Sequence, residues 1–469
     1  MFQSVAVPLW LLILILLFAG ITFASHFLFP SVRWFFRKWA ERAVARINAR
    51  LDRPIEPFKL ARRQDMIVRL LYDVHVLEAV SEHAAEAGVP GSVAFEQARR
   101  YAREIVPGFS ATLYFGFAIR AARRLSRGLY RVRIGKVDAA LSRFDRKATV
   151  IFVMNHRSNM DYVLVTWLVA NRSAISYAVG EWARVWPLSA MIRAMGAYFI
   201  RRGSRTTLYR RVLARYVQMA TAEGTTQAIF PEGGLSLDGR VGQAKIGLLS
   251  YIYAGFDPKT DRDVIFVPVG LAYDRVLEDR LLTTAHLTGT RRFRARPLAI
   301  LAFISRMVWR MMRGRFAGFG TAAAGFGRPV SLRAFMQDLS DPTPDALGVL
   351  LMAEITKVVP ILSVPLVAAA LLGGGMDRAA LRQRLSDLQA DLIAVDAVLK
   401  LPPQGLDVAM SEGLAPLLAR GLVVEVDNVL ACAPEAGAML AFYAAPVQQV
   451  LGGTTEGSMP QRGRHKITK

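Results

Sequence analysis

The sequence is poor in cysteine and in acidic residues. Cys432 is the only cysteine among 469 residues, which excludes an internal disulfide framework and fits a reducing compartment. No set of Cys and His residues has the spacing of zinc ligands, so we expect no metal site. Asp and Glu number 37 against 60 Lys and Arg, which gives a formal net charge of +23. So strong a polycation favours a polyanionic partner, either nucleic acid or an anionic lipid surface.

The sequence also contains no aromatic–basic RNA-binding motif and no zinc-finger pattern, so the charge favours anionic lipids and predicts no nucleic-acid partner. Hydrophobic residues make up 53% of the chain, a share that indicates membrane contact. Val5 to Ala24 is an uncharged apolar run of about the length that spans a bilayer. No Lys or Arg precedes it, so the charged start of a signal peptide is missing; a cleaved signal peptide is the alternative.

Six basic residues follow this run: Arg33, Arg37, Lys38, Arg42, Arg46 and Arg50. By the positive-inside rule they predict a single-pass anchor, of the cell inner membrane type, with the bulk of the chain in the cytoplasm. Ser31 to Leu51 has aromatic residues near its start and predicts an amphipathic helix on anionic membrane lipids; a solvated helix packed on the domain is the alternative. Leu298 to Met312 is interpreted as either a second surface helix or a core helix.

Strand-like and helix-like segments alternate from about residue 130 to about residue 274, which predicts a parallel sheet. We expect an α/β fold, with a mixed, largely parallel sheet flanked by helices, an N-terminal transmembrane helix and helical N- and C-terminal regions. Five regions follow: a transmembrane anchor at 1–29, a helical, membrane-proximal region at 30–127, an α/β domain at 128–335, a mainly helical region at 336–451 and a disordered basic tail at 452–469.

His156 and Asp161 form the first candidate site. His156 follows the apolar run Ala148 to Met154, which has the composition of a buried strand. Partners on one helix face are three or four residues apart, so the H-x4-D spacing fits a histidine in the turn after the strand and a carboxylate in the first turn of a helix. Asp161 would then hold one imidazole nitrogen while the other accepts a proton. The alternative is a capped helix start with a surface histidine.

Four short segments carry the polar residues of this region. They are His156 to Tyr162 (HRSNMDY), Gly196 to Arg202 (GAYFIRR), Phe230 to Ser236 (FPEGGLS) and Val267 to Val269 (VPV). Sites in parallel sheets gather at the carboxyl ends of strands, and the turns among these segments all follow predicted strands. In this order and at these separations, the segments resemble the four motifs of the glycerolipid acyltransferase superfamily. The closest match is its glycerol-3-phosphate O-acyltransferase branch.

The resemblance implies a membrane-bound acyltransferase that needs no cofactor. It implies transfer of a fatty acyl group from acyl-CoA or acyl carrier protein to the sn-1 hydroxyl of glycerol 3-phosphate, giving lysophosphatidate for phospholipid synthesis. The expected base is His156, oriented by Asp161, and direct attack needs no nucleophilic side chain. The residues expected to contact substrate are Arg157, Arg201, Arg202, Glu232, Gly233, Gly234, Ser236 and Lys245, with Pro268 in the acyl channel.

One position departs from the family pattern. Leu235 stands where the third motif usually carries an arginine that helps to hold the substrate phosphate, while Lys245 matches a basic position of the glycerol-3-phosphate branch. The departure keeps a second function open, in which the acceptor is lysophosphatidate or another lysophospholipid. A non-catalytic membrane scaffold is a third hypothesis, and the intact His156, Asp161 and Glu232 argue against it.

Overall fold

The structure is a computed structural model that describes residues 8–51, 53–134, 145, 147–169, 173–180, 188–201, 206–290, 305, 309, 313 and 318–452. The chain divides into two units, one of residues 1–55 with 171–173 and the other of residues 56–170 with 174–469. Most of the predicted helix at 298–312, and the predicted tail beyond residue 452, lie outside the described residues.

The first unit contains helix α1 (Leu9–Asn48). The predicted transmembrane anchor at 1–29 is not supported, because no helix among the described residues combines the length and apolar character needed to cross a membrane. Instead, α1 continues without a break from the apolar run into the basic segment that follows it. Apolar side chains near its start, including Trp10 and Phe18, are exposed. Exposed apolar patches mark contact surfaces, so α1 is a candidate for surface contact.

The second unit is built on an eight-stranded sheet. Its strands are β1 (Arg131–Ile134), β2 (Thr149–Met154), β3 (Ser176–Gly180), β4 (Tyr198–Ile200), β5 (Gln227–Ile229), β6 (Val264–Tyr273), β7 (Thr321–Phe326) and β8 (Val330–Ser331). The order in space is β1-β7-β6-β2-β5-β3-β4, with β8 also paired to β6. The strands from β6 to β4 are parallel, whereas β7 and β8 run antiparallel to β6. The predicted mixed, largely parallel sheet is confirmed.

The central strands are rich in Val, Ile and Phe. β2 (TVIFVM) is buried along its whole length, as expected for a parallel strand covered by helices on both faces. β6 contains Pro268, which cannot donate a backbone hydrogen bond. Pro268 lies where the outer partner of β6 changes from β8, opposite Ile265 and Phe266, to β7, opposite Val269 and the residues after it. The proline therefore occupies a gap between two ladders.

Helices surround the sheet. In chain order the second unit contains α2 (Pro57–Leu60), α3 (Arg63–Leu71), α4 (Val74–Ala87), α5 (Gly91–Ile105), a π-helix (Thr112–Ala118), α6 (Ile119–Leu129), α7 (Met160–Leu168), α8 (Leu188–Ala194), α9 (Thr207–Ala222), α10 (Gly247–Ala254), α11 (Asp279–Thr288), α12 (Leu332–Asp338), α13 (Pro344–Lys357), α14 (Ser363–Leu371), α15 (Arg378–Ala394), α16 (Leu406–Ala419) and α17 (Gly437–Val450).

These helices build two apolar cores, one on each face of the sheet. One core contains side chains of α2 to α5, α9, α10, α12 and α13 together with one face of β2. The other core joins the opposite face of β2 to α7, α11 and α14 to α17. The C-terminal helices therefore pack on the same sheet that carries the motif segments, on the face that also holds α7.

The C-terminal region also contains a β-hairpin. Strands β9 (Val423–Val426) and β10 (Val429–Cys432) are antiparallel. The two turn residues, Asp427 and Asn428, have φ of 50° and 64°, the left-handed values that a two-residue type I′ turn needs and that Asp and Asn tolerate. An Asp-Asn dipeptide between two apolar runs is a sequence signal for such a hairpin.

Two features differ from the sequence expectation. β7 (TAAAGF) was not predicted, because an alanine-rich segment has little strand propensity. β8 was not predicted either and is only two residues long. β7 forms because it lies between β1 and β6, which both hydrogen-bond to it. The apolar segment Val358 to Leu372 would be expected to form one helix, but its helix begins only at Ser363, since Pro360 disfavours helical backbone in the residue before it.

Candidate active site

His156 and Asp161 meet at the carboxyl end of the central strand. His156 lies in the turn that follows β2, and Asp161 lies in the first turn of α7. His156 Nδ1 is 2.9 Å from Asp161 Oδ2, and both side chains are buried. A carboxylate at this position accepts the bond, so Nδ1 carries the proton and Nε2 is left as the acceptor. An imidazole in this tautomer has the form that a general base requires.

Asp161 is held by four donors. Oδ2 accepts from the backbone N–H groups of Arg157 (2.8 Å) and Ser158 (3.0 Å) as well as from His156. Oδ1 accepts from the hydroxyl of Tyr273, at 2.7 Å. Tyr273 is the last residue of β6, the strand beside β2. The carboxylate is therefore fixed in position by two neighbouring strands and cannot rotate away from the imidazole without losing hydrogen bonds.

Aromatic rings fix the plane of the imidazole. The ring of Phe230 stacks on His156 with centroids 4.2 Å apart, and Tyr162 meets it edge-on at 5.5 Å. Phe230 follows β5, the strand on the other side of β2. Residues from three adjacent parallel strands thus converge on one histidine, as sites at the carboxyl edge of such sheets do.

Glu232 contacts the backbone of the same histidine. Its Oε1 accepts from the N–H of His156 at 2.9 Å, and its Oε2 accepts a longer bond from Gly242 at 3.4 Å. Burial raises the pKa of Glu232 from 4.5 to about 7, although these two N–H groups and the charge of Arg157 act in the opposite direction. A carboxyl group with such a pKa exchanges a proton near neutral pH.

The turn after β5 supports this contact. Gly233 has φ of +65°, and a Cβ there would lie 2.8 Å from Lys245 Cδ. The backbone N–H of Lys245 donates to Pro231 O at 2.7 Å, and Ser236 N–H donates to His156 O at 2.8 Å. Gly233 is therefore required both by the left-handed backbone and by the lysine chain packed against it, and Gly234 follows it in the same turn.

Ser236 organises the loop that follows. Its Oγ lies 2.7 Å from Arg240 O, and it accepts from the N–H of Gly239 at 3.1 Å. These bonds occupy a buried hydroxyl with the backbone of its own loop, as serine does in local turn motifs. The structure thus gives Ser236 a place beside His156 through its backbone and not through its hydroxyl.

The predicted phosphate ligands lie in different surroundings. Arg157 is buried, donates to Gly239 O and stacks over the ring of Phe442 at 4.9 Å. Arg201 follows β4, at the far edge of the sheet, and forms a two-pronged pair with Glu104 at 2.8 and 2.6 Å. Arg202 lies outside the described residues. Lys245 packs along Gly233 in the turn of Glu232, and the charge of Arg157 acts on the same carboxyl group. Arg201 is instead paired with Glu104 at the far edge of the sheet.

Several supporting residues carried no sequence signal. Glu278, just before α11, accepts from Ser158 Oγ (2.8 Å) and from the backbone and side-chain N–H groups of Asn159. Asn155 exchanges two hydrogen bonds with the backbone of Leu271 at 2.7 and 3.0 Å. Nothing in local sequence marks these partners, because each pair is separated by more than a hundred positions along the chain. Tyr273 could have been found as the hydroxyl that follows the fourth motif segment.

Helix α17 reaches the site from the C-terminal region. The side chain of Gln449 exchanges two hydrogen bonds with the backbone of Val241, at 2.8 and 2.9 Å. Nearby, Asp279 pairs with Arg420 at 2.6 Å and accepts from the hydroxyl of Tyr443. The loop that carries Ser236 is therefore supported from the C-terminal helices as well as from the sheet.

Comparisons with known proteins show similarity to acyltransferases. A family model described as Acyltransferase matches residues 137–272, the segment that contains His156, Asp161 and Glu232. The matched acyltransferase domain and the named relatives support the glycerolipid acyltransferase superfamily, in its glycerol-3-phosphate branch. A glycerol-3-phosphate acyltransferase of Shewanella baltica is 27% identical over 86% of this chain and 51% of its own length. A protein with the same name from Aeromonas hydrophila is 27% identical over 74% of this chain and 43% of its own.

The coverage of these relatives is partial. The chain spans about half the length of the curated relatives it matches. Among solved structures, the 1-acyl-sn-glycerophosphate (LPA) acyltransferase PlsC of Thermotoga maritima covers 62% of this chain and 96% of its own, with 17% identity and a TM-score of 0.32. The support for the superfamily comes from the family model and the named relatives.

Proposed function

We propose that the protein transfers a fatty acyl group from a thioester, acyl-CoA or acyl carrier protein, to the sn-1 hydroxyl of glycerol 3-phosphate. His156 Nε2 takes the hydroxyl proton while the oxygen attacks the thioester carbonyl. The C–S bond then breaks, and the proton passes to the departing thiolate. The products are lysophosphatidate and a free thiol. The reaction needs no cofactor and forms no acyl-enzyme intermediate.

The observation that carries this proposal is the bond between His156 Nδ1 and Asp161, at 2.9 Å. A buried carboxylate held by four donors stabilises the imidazolium that forms when Nε2 takes a proton. A histidine that was only part of the core would need a single partner, and it would not need a carboxylate organised by two strands. The arrangement favours a catalytic role over the scaffold hypothesis.

The acceptor is proposed to bind at the turn after β5. Glu232, Gly233, Gly234 and Ser236 are the predicted substrate contacts of this turn, and its backbone is bonded to His156. Lys245 is exposed and packs along Gly233, so it supplies positive charge for a phosphate there. We propose contributions from Arg157, Arg201 and Arg202 as well; for Arg201 this requires the phosphate to share or replace the pair with Glu104.

A location at the membrane is part of the proposal. The product, lysophosphatidate, is a lipid, and the thioester donor carries a fatty acyl chain. The exposed apolar residues at the start of α1 offer a contact with a bilayer surface. Net charge of +23 favours anionic lipids at the cytoplasmic face. Pro268, in the sheet at the level of Val153, is proposed to border the acyl chain.

A second acceptor is supported by Leu235. Its side chain packs against the apolar core on the α7 face of the sheet, in the motif position where the family usually places an arginine. An apolar residue there fits a lysophospholipid acceptor better than a small sugar phosphate. The alternative function is therefore acylation of lysophosphatidate or of another lysophospholipid.

One assay separates these functions. Purified protein is given one acyl thioester and, in parallel, glycerol 3-phosphate, dihydroxyacetone phosphate and lysophosphatidate. We expect the highest kcat/KM with glycerol 3-phosphate, and loss of that activity in His156→Ala. Preference for lysophosphatidate would establish the second acceptor, and turnover by His156→Ala equal to wild type would reject the mechanism for any acceptor.

A further inference from the structure

Helix α6 presents a row of arginines to solvent. Its sequence, IRAARRLSRGL, contains no acidic residue. The exposed residues of the row are Arg120, Arg123, Arg124 and Arg127. Spacings of three and four residues place them on one face of the helix. At 1.5 Å per residue the row extends over about 10 Å. We call this surface the α6 face.

The α6 face differs from several other exposed arginines that the structure describes. Arg69, Arg211, Arg378 and Arg382 are exposed too, but each forms an ion pair with a carboxylate of its own chain, Glu223, Glu82, Glu425 and Asp407 respectively. Within the described residues no carboxylate pairs with the four arginines of α6. Four like charges without neutralisation repel one another, so an anionic partner would be bound with a gain in free energy.

The opposite face of α6 is already occupied. Ile119, Ala122, Ser126 and Leu129 are buried, and α6 packs against α7. A helix that binds by insertion into a bilayer needs a free apolar face for the lipid, whereas Leu125 is the one large apolar side chain that α6 exposes. The geometry therefore favours a partner recognised through charge at a protein surface over a bilayer in which α6 would be embedded.

The position of α6 indicates what the partner delivers. α7, on which α6 packs, carries Asp161 in its first turn, and Arg127 lies over the ring of Trp167 from the same helix at 5.4 Å. A partner on the α6 face would thus stand beside the helix that helps to form the catalytic pair. In an acyltransferase, the substrate that comes attached to a macromolecule is the acyl thioester.

We propose that the α6 face is the docking surface for an acidic carrier protein that presents the acyl thioester. The proposal rests on the proposed function and specifies its donor. The arginines act on encounter and alignment of the carrier and take no part in the chemistry. Their contribution should therefore appear in KM for the carrier-bound donor and in its dependence on salt.

The test uses the full chain with two donors of the same acyl group, one on acyl carrier protein and one on CoA. In the double variant Arg120→Glu, Arg124→Glu we expect the KM for the carrier-bound donor to rise about 10-fold, with a weaker salt dependence, because rim charges govern association. The KM for acyl-CoA should rise by no more than about twofold, so that the fold-change is at least five times smaller than for the carrier-bound donor. The control Arg211→Glu, Arg384→Glu has the same change in net charge on α9 and α15, and it should leave both donors within about twofold of wild type.

Further measurements decide the remaining outcomes. Circular dichroism verifies the fold, and Arg120→Gln, Arg124→Gln should give an intermediate rise in KM. An equal rise for both donors, or none for the carrier-bound one, would overturn the proposal. So would loss of binding to vesicles containing anionic phospholipid with unchanged carrier kinetics, which would make the α6 face a lipid contact. Wild-type protein that uses only acyl-CoA would contradict the docking surface alone, whereas inactivity with both donors would contradict the proposed function.

Discussion

The hydroxyl of Tyr273 donates a 2.7 Å hydrogen bond to Asp161 Oδ1, the oxygen that His156 does not use. The two residues are 112 positions apart in the chain. Through this bond, strand β6 determines where the carboxylate points, and hence which way the imidazole faces. Burial and the negative charge of Asp161 raise the pKa of Tyr273 well above its usual value, so the hydroxyl remains a donor over the whole physiological range.

Tyr273→Phe removes only the hydroxyl group and so tests the hydrogen bond to Asp161. A hydrogen bond to a charged group contributes about 1.5–3 kcal/mol, so we expect kcat to fall about 10-fold or more. The KM values for both substrates should stay unchanged, because Tyr273 positions the base and is not expected to contact substrate. Tyr130→Phe is the matched control: its ring lies 5.3 Å from that of Tyr273, but its hydroxyl bonds to Arg275 O. A similar loss in both variants would show a packing effect.

Replacement of the catalytic pair should separate activity from stability. His156→Ala is expected to lower kcat by about 10²–10⁴, the range for loss of a general base. Asp161→Asn should lower kcat too. It also replaces a carboxylate that accepts from several N–H groups by an amide, whose own NH2 group cannot accept their hydrogen bonds. We expect it to reduce the free energy of unfolding by about 1–3 kcal/mol, the cost of buried groups left without partners. Urea unfolding of the two variants checks this, and equal stability of Asp161→Asn and wild type would contradict the donor arrangement.

Glu232 should make stability depend on pH. Its pKa of about 7 in the folded protein lies above 4.5, so between these values the folded state binds more protons than the unfolded state. The free energy of unfolding should then decrease as the pH rises from about 4.5 to about 7, by about 3 kcal/mol in total for this group. Glu232→Gln should remove that part of the slope. Denaturant unfolding at several pH values measures it, and parallel curves for the variant and wild type would argue against the shift.

Lys245 provides a test of the acceptor site. Lys245→Ala should raise the KM for glycerol 3-phosphate about 10-fold, as expected for loss of one charge-assisted contact, while the KM for the thioester is unchanged. Lys259→Ala, which removes an exposed lysine from the loop before β6, should leave both KM values as they are. If Lys245→Ala behaves like this control, the phosphate is bound elsewhere.

Gly239 should be intolerant of a side chain. Its φ is +87°, and a Cβ there would lie 2.0 Å from the carbonyl oxygen of Phe442 in α17. We expect Gly239→Ala to lower the free energy of unfolding by more than about 2 kcal/mol, because both the backbone and the helix packing are strained. Gly437→Ala meets no atom within 4 Å and should be neutral or stabilising. Thermal unfolding of both variants is the measurement.

The local sequence was sufficient to predict the turn that carries His156 and Asp161. An apolar run followed by H-x4-D predicts a strand, a turn and a helix, and this determines that His156 and Asp161 lie within reach, since five residues cannot separate them far. The mixed, largely parallel sheet and the C-terminal hairpin were also predictable, because alternating apolar segments and the Asp427-Asn428 turn depend on nearby residues only.

The tertiary structure alone decided which partners complete the site. Tyr273, Glu278 and Gln449 reach the catalytic loops from distant segments, and pairing across the sheet has no signature in local sequence. The same reason explains β7, whose alanine-rich sequence becomes a strand only between β1 and β6. It also explains why Arg157 and Arg201, which look alike in sequence as phosphate ligands, are bonded to Gly239 and Glu104. A residue's type is set by the sequence, but its available charge and hydrogen bonds depend on what the fold packs against it.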